Sequence, residues 1–370
     1  MPGSDPVRVT LFNNMVSPYT NKLFNRVTGE AVRLTVVSCV ARESNRHWGD
    51  EGDKAYEHVV LKGVHIRLNS TRYAHLNFGI GRALARSQPD ALVINGFYPS
   101  MVMGTVWAGR SGTPLALTTD GWAETMPRSP YHSLLRPKVL RRCRKVFVCG
   151  VKGRDYALSQ GIGGEDVIVV PLVPAWPAPR DIAPHAARPY HLLWVAQIND
   201  EVKNAAFFAD VAIRLNAEMP GLKVRIVGDG SGREALRSAL AQGGVNYDHT
   251  AAVPWGHMAD VFASGRILVL PSLWEPWGLV CNEAMQCGTP CIVSPHVGAG
   301  DDLVVDGRNG WVEPLEAVAW KDRLLNLLRD PLAWQAFSER AQHDAGERTL
   351  DASAERLRNG LERLAERRAE

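Results

Sequence analysis

Glu275 and Glu283 stand eight positions apart in the stretch LPSLWEPWGLVCNEAMQCGTPCIVS, residues 270–294. An apolar strand ends at Leu270, a loop carries Glu275, and Gly278 opens a helix that contains Glu283. One carboxylate therefore lies before the helix and the other inside it, so the two can address different parts of one extended ligand. The first turn of such a helix offers N–H groups without intrahelical partners and a partial positive charge, both suited to a diphosphate. Gly278 lets the backbone come close. A carboxylate only accepts hydrogen bonds, so Glu283 suits the vicinal diol of a ribose and Glu275 the hydroxyls of a sugar. The pattern fits a nucleotide-sugar. It fits equally two solvated charges at a helix start, where acids are favoured.

Positioning such a ligand needs a scaffold of strands that end in loops. The chain supplies one twice over. Val7–Asn13, Leu34–Cys39, Ala91–Asn95, Leu115–Thr119, Lys145–Cys149 and Val167–Pro171 read as short strands, with helical stretches such as Asn77–Arg86 between them. Val, Ile and Leu on both faces predict strands buried in a parallel sheet. A proline-dense stretch from Pro171 to Pro189 resists helix and sheet alike and reads as a linker. A second alternation follows: strands at His191–Ala196, Lys223–Val227, Arg266–Leu270 and Pro290–Ser294, and helices at Ala205–Glu218, Arg233–Gln242, Met258–Ser264 and Leu279–Gln286. The expected division is a first α/β domain over 1–173, a linker over 174–189, a second α/β domain over 190–345, and a C-terminal helix over 346–370 that packs back on the first. The fold class is α/β, two doubly wound domains facing across a cleft. That outline alone admits kinases, dehydrogenases and binding proteins.

The bulk properties exclude other classes. A chain of 370 residues exceeds one ordinary core. A net charge of +3 gives no global field for nucleic acid. The six cysteines show no CxxC spacing, which argues against a zinc site and a disulfide framework. No apolar run approaches a membrane span, and the N-terminus lacks the core of a signal peptide. The expected location is the cytoplasm, including the inner face of the cell membrane.

Glu275-Pro-Trp-Gly-Leu-Val-Cys-Asn-Glu283, with Ala284-Met285, Gly288-Thr289-Pro290 and the run from Val297 to Pro314, resembles the E-x7-E signature of retaining family 4 glycosyltransferases of GT-B fold. The resemblance implies that Glu275 contacts the transferred sugar and acts in catalysis. It implies that Glu283 holds the ribose, and that Trp277, Gly278, Leu279 and Val280 line the diphosphate. In Val195–Asn204, Lys203 matches a lysine that neutralises the leaving diphosphate. Gln197 stands where that family usually has arginine, and it can bond a phosphate without supplying charge. Read alone, Lys203 is also an ordinary solvated lysine. Gly228, in Val227-Gly228-Asp229-Gly230, matches a strand-end glycine turn. A nucleobase pocket is expected around 252–255, for a UDP- or GDP-sugar. The family generally needs no metal, so no cofactor is expected, and Asp301-Asp302 lies outside any DxD context.

The first half resembles the Pro-Tyr-x-x-x-Leu-Phe-Asn opening of bacterial polysaccharide-assembly glycosyltransferases. That places Asn14, Ser17 and Tyr19 at the acceptor side of the cleft; the same residues also read as a capped helix start with Pro18 in its first turn. Asp120 stands where relatives carry an active-site histidine. It either orients the acceptor hydroxyl or caps the next helix. His47 and His75 lie in the same half. The basic segment 136–145, with Trp122 and Tyr131 nearby, fits a dock for an anionic membrane or a lipid-diphosphate acceptor, or a solvated helix face. The resemblance implies transfer of a hexose-type sugar to a hydroxyl of a saccharide or lipid-linked acceptor. Two alternatives remain: a catalytically impaired partner subunit that binds a nucleotide-sugar, and a sugar-phosphate synthase on the same fold.

Overall fold

The computed structural model describes residues 5–43, 52–67, 73–174 and 176–366. Its contacts divide the chain into two compact units. One comprises Met1–Ala175 with Thr349–Glu370, the other Trp176–Arg348.

The first unit runs β1 (Val7–Asn13), α1 (Pro18–Val27), β2 (Val32–Ser38), β3 (Glu57–Val60), β4 (Gly63–Arg67), β5 (Tyr73–Asn77), α2 (Ile80–Ser87), β6 (Ala91–Asn95), α3 (Pro99–Ser111), β7 (Leu115–Thr119), α4 (Pro130–Leu140), β8 (Cys143–Val148), α5 (Val151–Ser159) and β9 (Val167–Val169). Seven strands form one parallel sheet in the order β3-β2-β1-β6-β7-β8-β9. β4 and β5 form a separate antiparallel hairpin, with His65 opposite His75 and Val64 opposite Leu76.

The second unit runs β10 (Tyr190–Val195), α6 (Ala205–Glu218), β11 (Lys223–Val227), α7 (Arg233–Gln242), β12 (Asn246–Thr250), α8 (Met258–Ala263), β13 (Gly265–Leu270), α9 (Leu279–Gln286), β14 (Cys291–Val293), α10 (Gly300–Leu303), β15 (Gly310–Val312), α11 (Ala317–Arg329) and α12 (Pro331–Gly346). Its six strands are also parallel, ordered β12-β11-β10-β13-β14-β15. The central strands are buried on both faces: Leu192, Leu193 and Trp194, then Ile267 to Leu270, then Cys291 to Val293. That is why they read as unbroken apolar runs. Trp194 stacks on Phe208 of α6, ring centroids 4.8 Å apart, and so joins sheet to helix layer. The proline-dense stretch beyond Ala175 lies with this unit. Trp176 packs on Trp255 and Phe262. Arg188 is fully buried, its guanidinium donating to the carbonyls of Ala183, Gly265 and Cys287 and to the Thr289 hydroxyl.

The last helix, α13 (Leu350–Ala365), returns to the first unit. Its Ala354, Leu357, Leu361 and Leu364 join the core beneath β1, β2 and β8. Gly360 has no side chain to hold Phe147 and Ile168 away, so the helix seats directly on the sheet.

Each sheet has one switch point. In the first, the chain winds outward from β1 to β3 and then returns to β6 on β1's other side; in the second, it winds from β10 to β12 and returns to β13. Ligands of open α/β sheets bind beyond the strand carboxyl ends at such points, because adjacent loops there diverge. In the second unit those loops are 196–204 and 271–278.

Candidate functional site

The loop after β13 is braced from one side by the loop after β14. The Glu275 N–H donates to the His296 carbonyl (3.2 Å), and the Gly298 N–H donates to the Glu275 carbonyl (3.0 Å). The Ala299 N–H donates to the Trp277 carbonyl (2.7 Å). A Cβ on Gly298 would collide with the Pro276 carbonyl, so the glycine permits this approach. Gly278 has φ +97°, a left-handed conformation, and turns the chain into α9. The first-turn amides of α9, those of Leu279 and Val280 among them, follow directly.

The loop after β10 meets this loop from the other side. The Leu273 N–H donates to the Val202 carbonyl (2.8 Å). The buried Asn199 side chain accepts from the N–H groups of Val202 and Lys203 (both 3.0 Å), which fixes the turn carrying Lys203. The Lys203 ammonium forms an ion pair with the Glu275 carboxylate, both side chains largely shielded from solvent. Two of the residues singled out in the sequence, 72 positions apart, thus meet at the switch point.

The third loop, after β11, lies against the loop after β10. Gly228 has φ +144°, and any Cβ there would collide with the Ala196 carbonyl; a Cβ on Gly230 would collide with that of Ile198. The glycine turn therefore exists to let two loops touch. Gln197 lies between Ala196 and Ile198 in the loop after β10 and is half-buried. Asp229 is exposed and paired with Arg233.

Glu283 sits half-buried on the second turn of α9 with no hydrogen-bond donor among the described residues, and burial pushes its carboxyl up to about 8. A carboxyl so placed gains most from a ligand that brings hydroxyl donors. Trp277 is buried and its indole N–H donates to the Asn282 side-chain Oδ1 (3.2 Å), so it supports α9. Three buried polar atoms, Asn199 Nδ2 and Ser272 Oγ in the loops and Asn282 Nδ2 in α9, have no hydrogen-bond partner among the described residues. Buried polar atoms are nearly always satisfied, so each of these is open to a polar partner. Trp255, in the loop after β12, is half-buried and meets Trp176 edge-on at 5.3 Å.

The first unit separates its candidates. Ser17 caps α1: its hydroxyl accepts from the Thr20 N–H, Thr20 reciprocates, and Pro18 occupies the first turn. Ser17 is buried, and the helix-cap geometry accounts for its hydroxyl. Asn14 donates to Glu43 (3.4 Å), and Tyr19 lies half-buried in the first turn of α1. Asp120 is exposed just past β7. It does not cap the next helix, because Ser129 caps α4. His47 lies outside the described residues. His75 is fully buried between Glu43 (3.2 Å) and His65 (3.0 Å), with Tyr73 stacked against its ring. Glu43 and His65 carried no signal in the sequence, since only the hairpin register brings them together. The desolvated His65, beside His75, is held below the ordinary histidine range.

Among the described residues no cluster of His, Cys, Asp and Glu could hold a metal ion. None of the six cysteines forms a disulfide. No helix of the described residues is long and apolar enough to cross a membrane.

Comparison with known proteins bears on both units. The family described as "Glycosyl transferase 4-like domain" matches residues 8–172, and "Glycosyl transferases group 1" matches residues 189–330. A D-inositol 3-phosphate glycosyltransferase of Arthrobacter sp. (strain FB24) is 34% identical over 149 residues, which is 38% of this chain and 35% of that protein. The enzyme of the same name from Mycolicibacterium paratuberculosis is 31% identical over 140 residues, 36% of this chain and 32% of that protein. The aligned stretch thus spans about a third of these relatives' length. A glycosyltransferase structure from Rickettsia africae superposes with TM-score 0.72 at 13% identity, covering 97% of this chain and 98% of that one. Anabaena HepE in complex with UDP gives 0.69 at 16% identity, covering 95% and 98%. These likenesses establish the fold. Two parallel sheets of seven and six strands, each half matched by its own description from one family, mean that the chain belongs to the group 1, family 4-like glycosyltransferases of GT-B fold.

Proposed function

We propose that the protein moves a hexose-type sugar, with retention, from a nucleoside-diphosphate sugar to a hydroxyl of a saccharide or lipid-linked acceptor. The observation that carries this reading is the Lys203–Glu275 pair, held beside the N-terminus of α9, with Glu283 one turn along that helix. The diphosphate lies at the amides of Gly278, Leu279 and Val280, beside Lys203, Gln197 and the Gly228 turn. Glu283 takes the ribose hydroxyls, and Glu275 those of the sugar. Relatives of the same fold hold UDP, which favours a uridine donor over a guanosine one. Inositol phosphates, the acceptors named for the partial relatives, are one class to try.

In the reaction, the bond from the anomeric carbon to the diphosphate oxygen breaks. The acceptor oxygen bonds the same face, and its proton passes to the departing phosphate oxygen. Lys203 and the free amides of α9 stabilise the charge that develops on the diphosphate. The Lys203 ammonium has three donors, so it can serve the diphosphate while keeping Glu275 in place. Asp120 and Asn14 are assigned to the acceptor side. Thiols outside any disulfide fit a reducing cytoplasm.

The test is donor turnover, followed as release of nucleoside diphosphate from UDP- and GDP-sugars. Glu275→Ala abolishes it; full activity in that variant would sink the assignment. A second reading, a nucleotide-sugar-binding subunit without turnover, is favoured only by Gln197, which leaves the clamp one charge short. A wild-type protein that is stabilised by the donor but never consumes it would select that reading.

A further inference from the structure

The charge of the chain is unevenly spread. Residues 58–154 carry fifteen lysines and arginines against three acids, Asp90, Asp120 and Glu124, although the whole chain is only +3. Asp90 is already occupied by Arg8, which donates to it at 2.8 Å. The helices α3 and α4 contain no acid at all.

Between these two helices lies an open groove of about 430 Å³. Its walls are apolar, from Val102 and Val106 of α3 and Leu135 and Val139 of α4, and its rim carries Lys138, Arg141 and Arg142. Gly109 of α3 is bare where the Arg142 guanidinium lies over it; a Cβ there would collide with that guanidinium. Arg142 has no carboxylate partner among the described residues, so its charge is offered outward. Around the groove the helices present large apolar side chains to solvent: Leu134 is 61% exposed and Met103 54%. Beside α3, β5 leads into Phe78, 66% exposed. Soluble surfaces seldom group apolar side chains with cations of one sign.

We propose that this face of the first unit docks on an anionic bilayer, with Met103, Val106 and Leu134 entering the interfacial layer and Lys138, Arg141 and Arg142 meeting lipid phosphates. The proposal deepens the lipid-linked branch of the function above and rests on that branch only for its biological purpose. Charge complementarity selects the occupant. A bilayer supplies a sheet of phosphate that matches cations of one sign, and a hydrocarbon boundary that takes the apolar side chains. Long lysine and arginine stems can reach past the apolar residues to the headgroups. An acidic protein would match the charge but needs shaped, hydrogen-bonded partners, and the groove lining has hardly any polar group besides its cations.

The experiment is co-sedimentation of the full chain with phosphatidylcholine vesicles, with and without phosphatidylglycerol, at low and high salt. Binding is expected only with phosphatidylglycerol and is expected to weaken with salt. Removing Lys138, Arg141 and Arg142 by substitution to Ser should weaken it about fivefold per cation. Val106→Ser with Leu134→Ser should weaken it while leaving its salt dependence intact. Each variant is checked for an unchanged melting temperature and an unchanged thermal shift with UDP, since none of these residues belongs to the donor site. Equal binding to neutral vesicles, or undiminished binding by the charge variant, overturns the proposal. So does capture of polyglutamate without capture of vesicles. Failure of UDP to shift the wild-type melt would instead remove the donor reading and leave vesicle binding to be judged by itself.

Discussion

In the proposed site, Glu283 would tie donor binding to protons. Its carboxyl sits at about 8 in the free protein, so near neutrality it is mostly protonated. Ribose hydroxyls donate hydrogen bonds and favour the ionised form. Donor affinity should therefore rise with pH, by about tenfold per unit below 8, and level off above it. Calorimetry with UDP between pH 6 and pH 9, roughly the window set by that value, reads this directly, and Glu283→Gln should flatten the curve. Stability runs the opposite way. The folded carboxyl lies above its ordinary 4.5, so its contribution is complete below that value and is lost as pH rises through about 8. Glu283→Gln should melt like the wild type in acid and above it in alkali; a variant less stable at high pH would contradict the burial. Gln197 offers a gain-of-function check. Arginine there would add a charge-assisted bond to the diphosphate and tighten UDP by about tenfold. Unchanged affinity would mean that position 197 does not face the diphosphate. The pairing of Lys203 with Glu275 was legible only through the family resemblance that singled out both, since spacing alone left each an ordinary charge. Glu43 and His65 were not, because a cross-strand register makes their partnership and no local pattern encodes it.

The elements around the proposed donor site work by close approach. Gly278 combines a left-handed φ with a Cβ position 2.9 Å from the Val297 side chain. Gly278→Ala should cost about 1–3 kcal/mol in urea unfolding, and should weaken UDP binding because it displaces the amides of α9. Gly228→Ala should be at least as harmful, since the Ala196 carbonyl cannot move without tearing β10 from β11. A tolerated alanine at either position would refute the packing of these loops. The buried central strands and the helices α6, α7 and α9 were readable from apolar runs and periodicity. β12 was not: Asn-Tyr-Asp-His-Thr is a polar edge strand, recognisable only by its pairing with β11. The hairpin of β4 and β5 was hidden for the same reason, and its outward residues are apolar where alternation would predict polar ones.

At the scale of the molecule, the switch points of two parallel sheets do what the sequence could only suggest by analogy. They specify which two loops flank the reversal of strand order, and in the second unit those are the loops that carry Lys203 and Glu275. A nucleotide ligand should therefore stabilise the second unit alone. Hydrogen exchange with saturating UDP is expected to slow amides of 196–204 and 271–283 and to leave the hairpin of β4 and β5 unchanged; protection confined to the first unit would place the ligand elsewhere. The return of α13 has a further consequence, for the order of assembly. The first unit is discontinuous, with the whole of the second inserted between β9 and α13. On the ribosome the first sheet emerges early but must wait for some 170 residues of the second unit before Leu357, Leu361 and Leu364 arrive to cover Phe147 and its neighbours. During that interval its apolar face is open, and a nascent chain halted before residue 349 should be a substrate for chaperones while its second unit is already native.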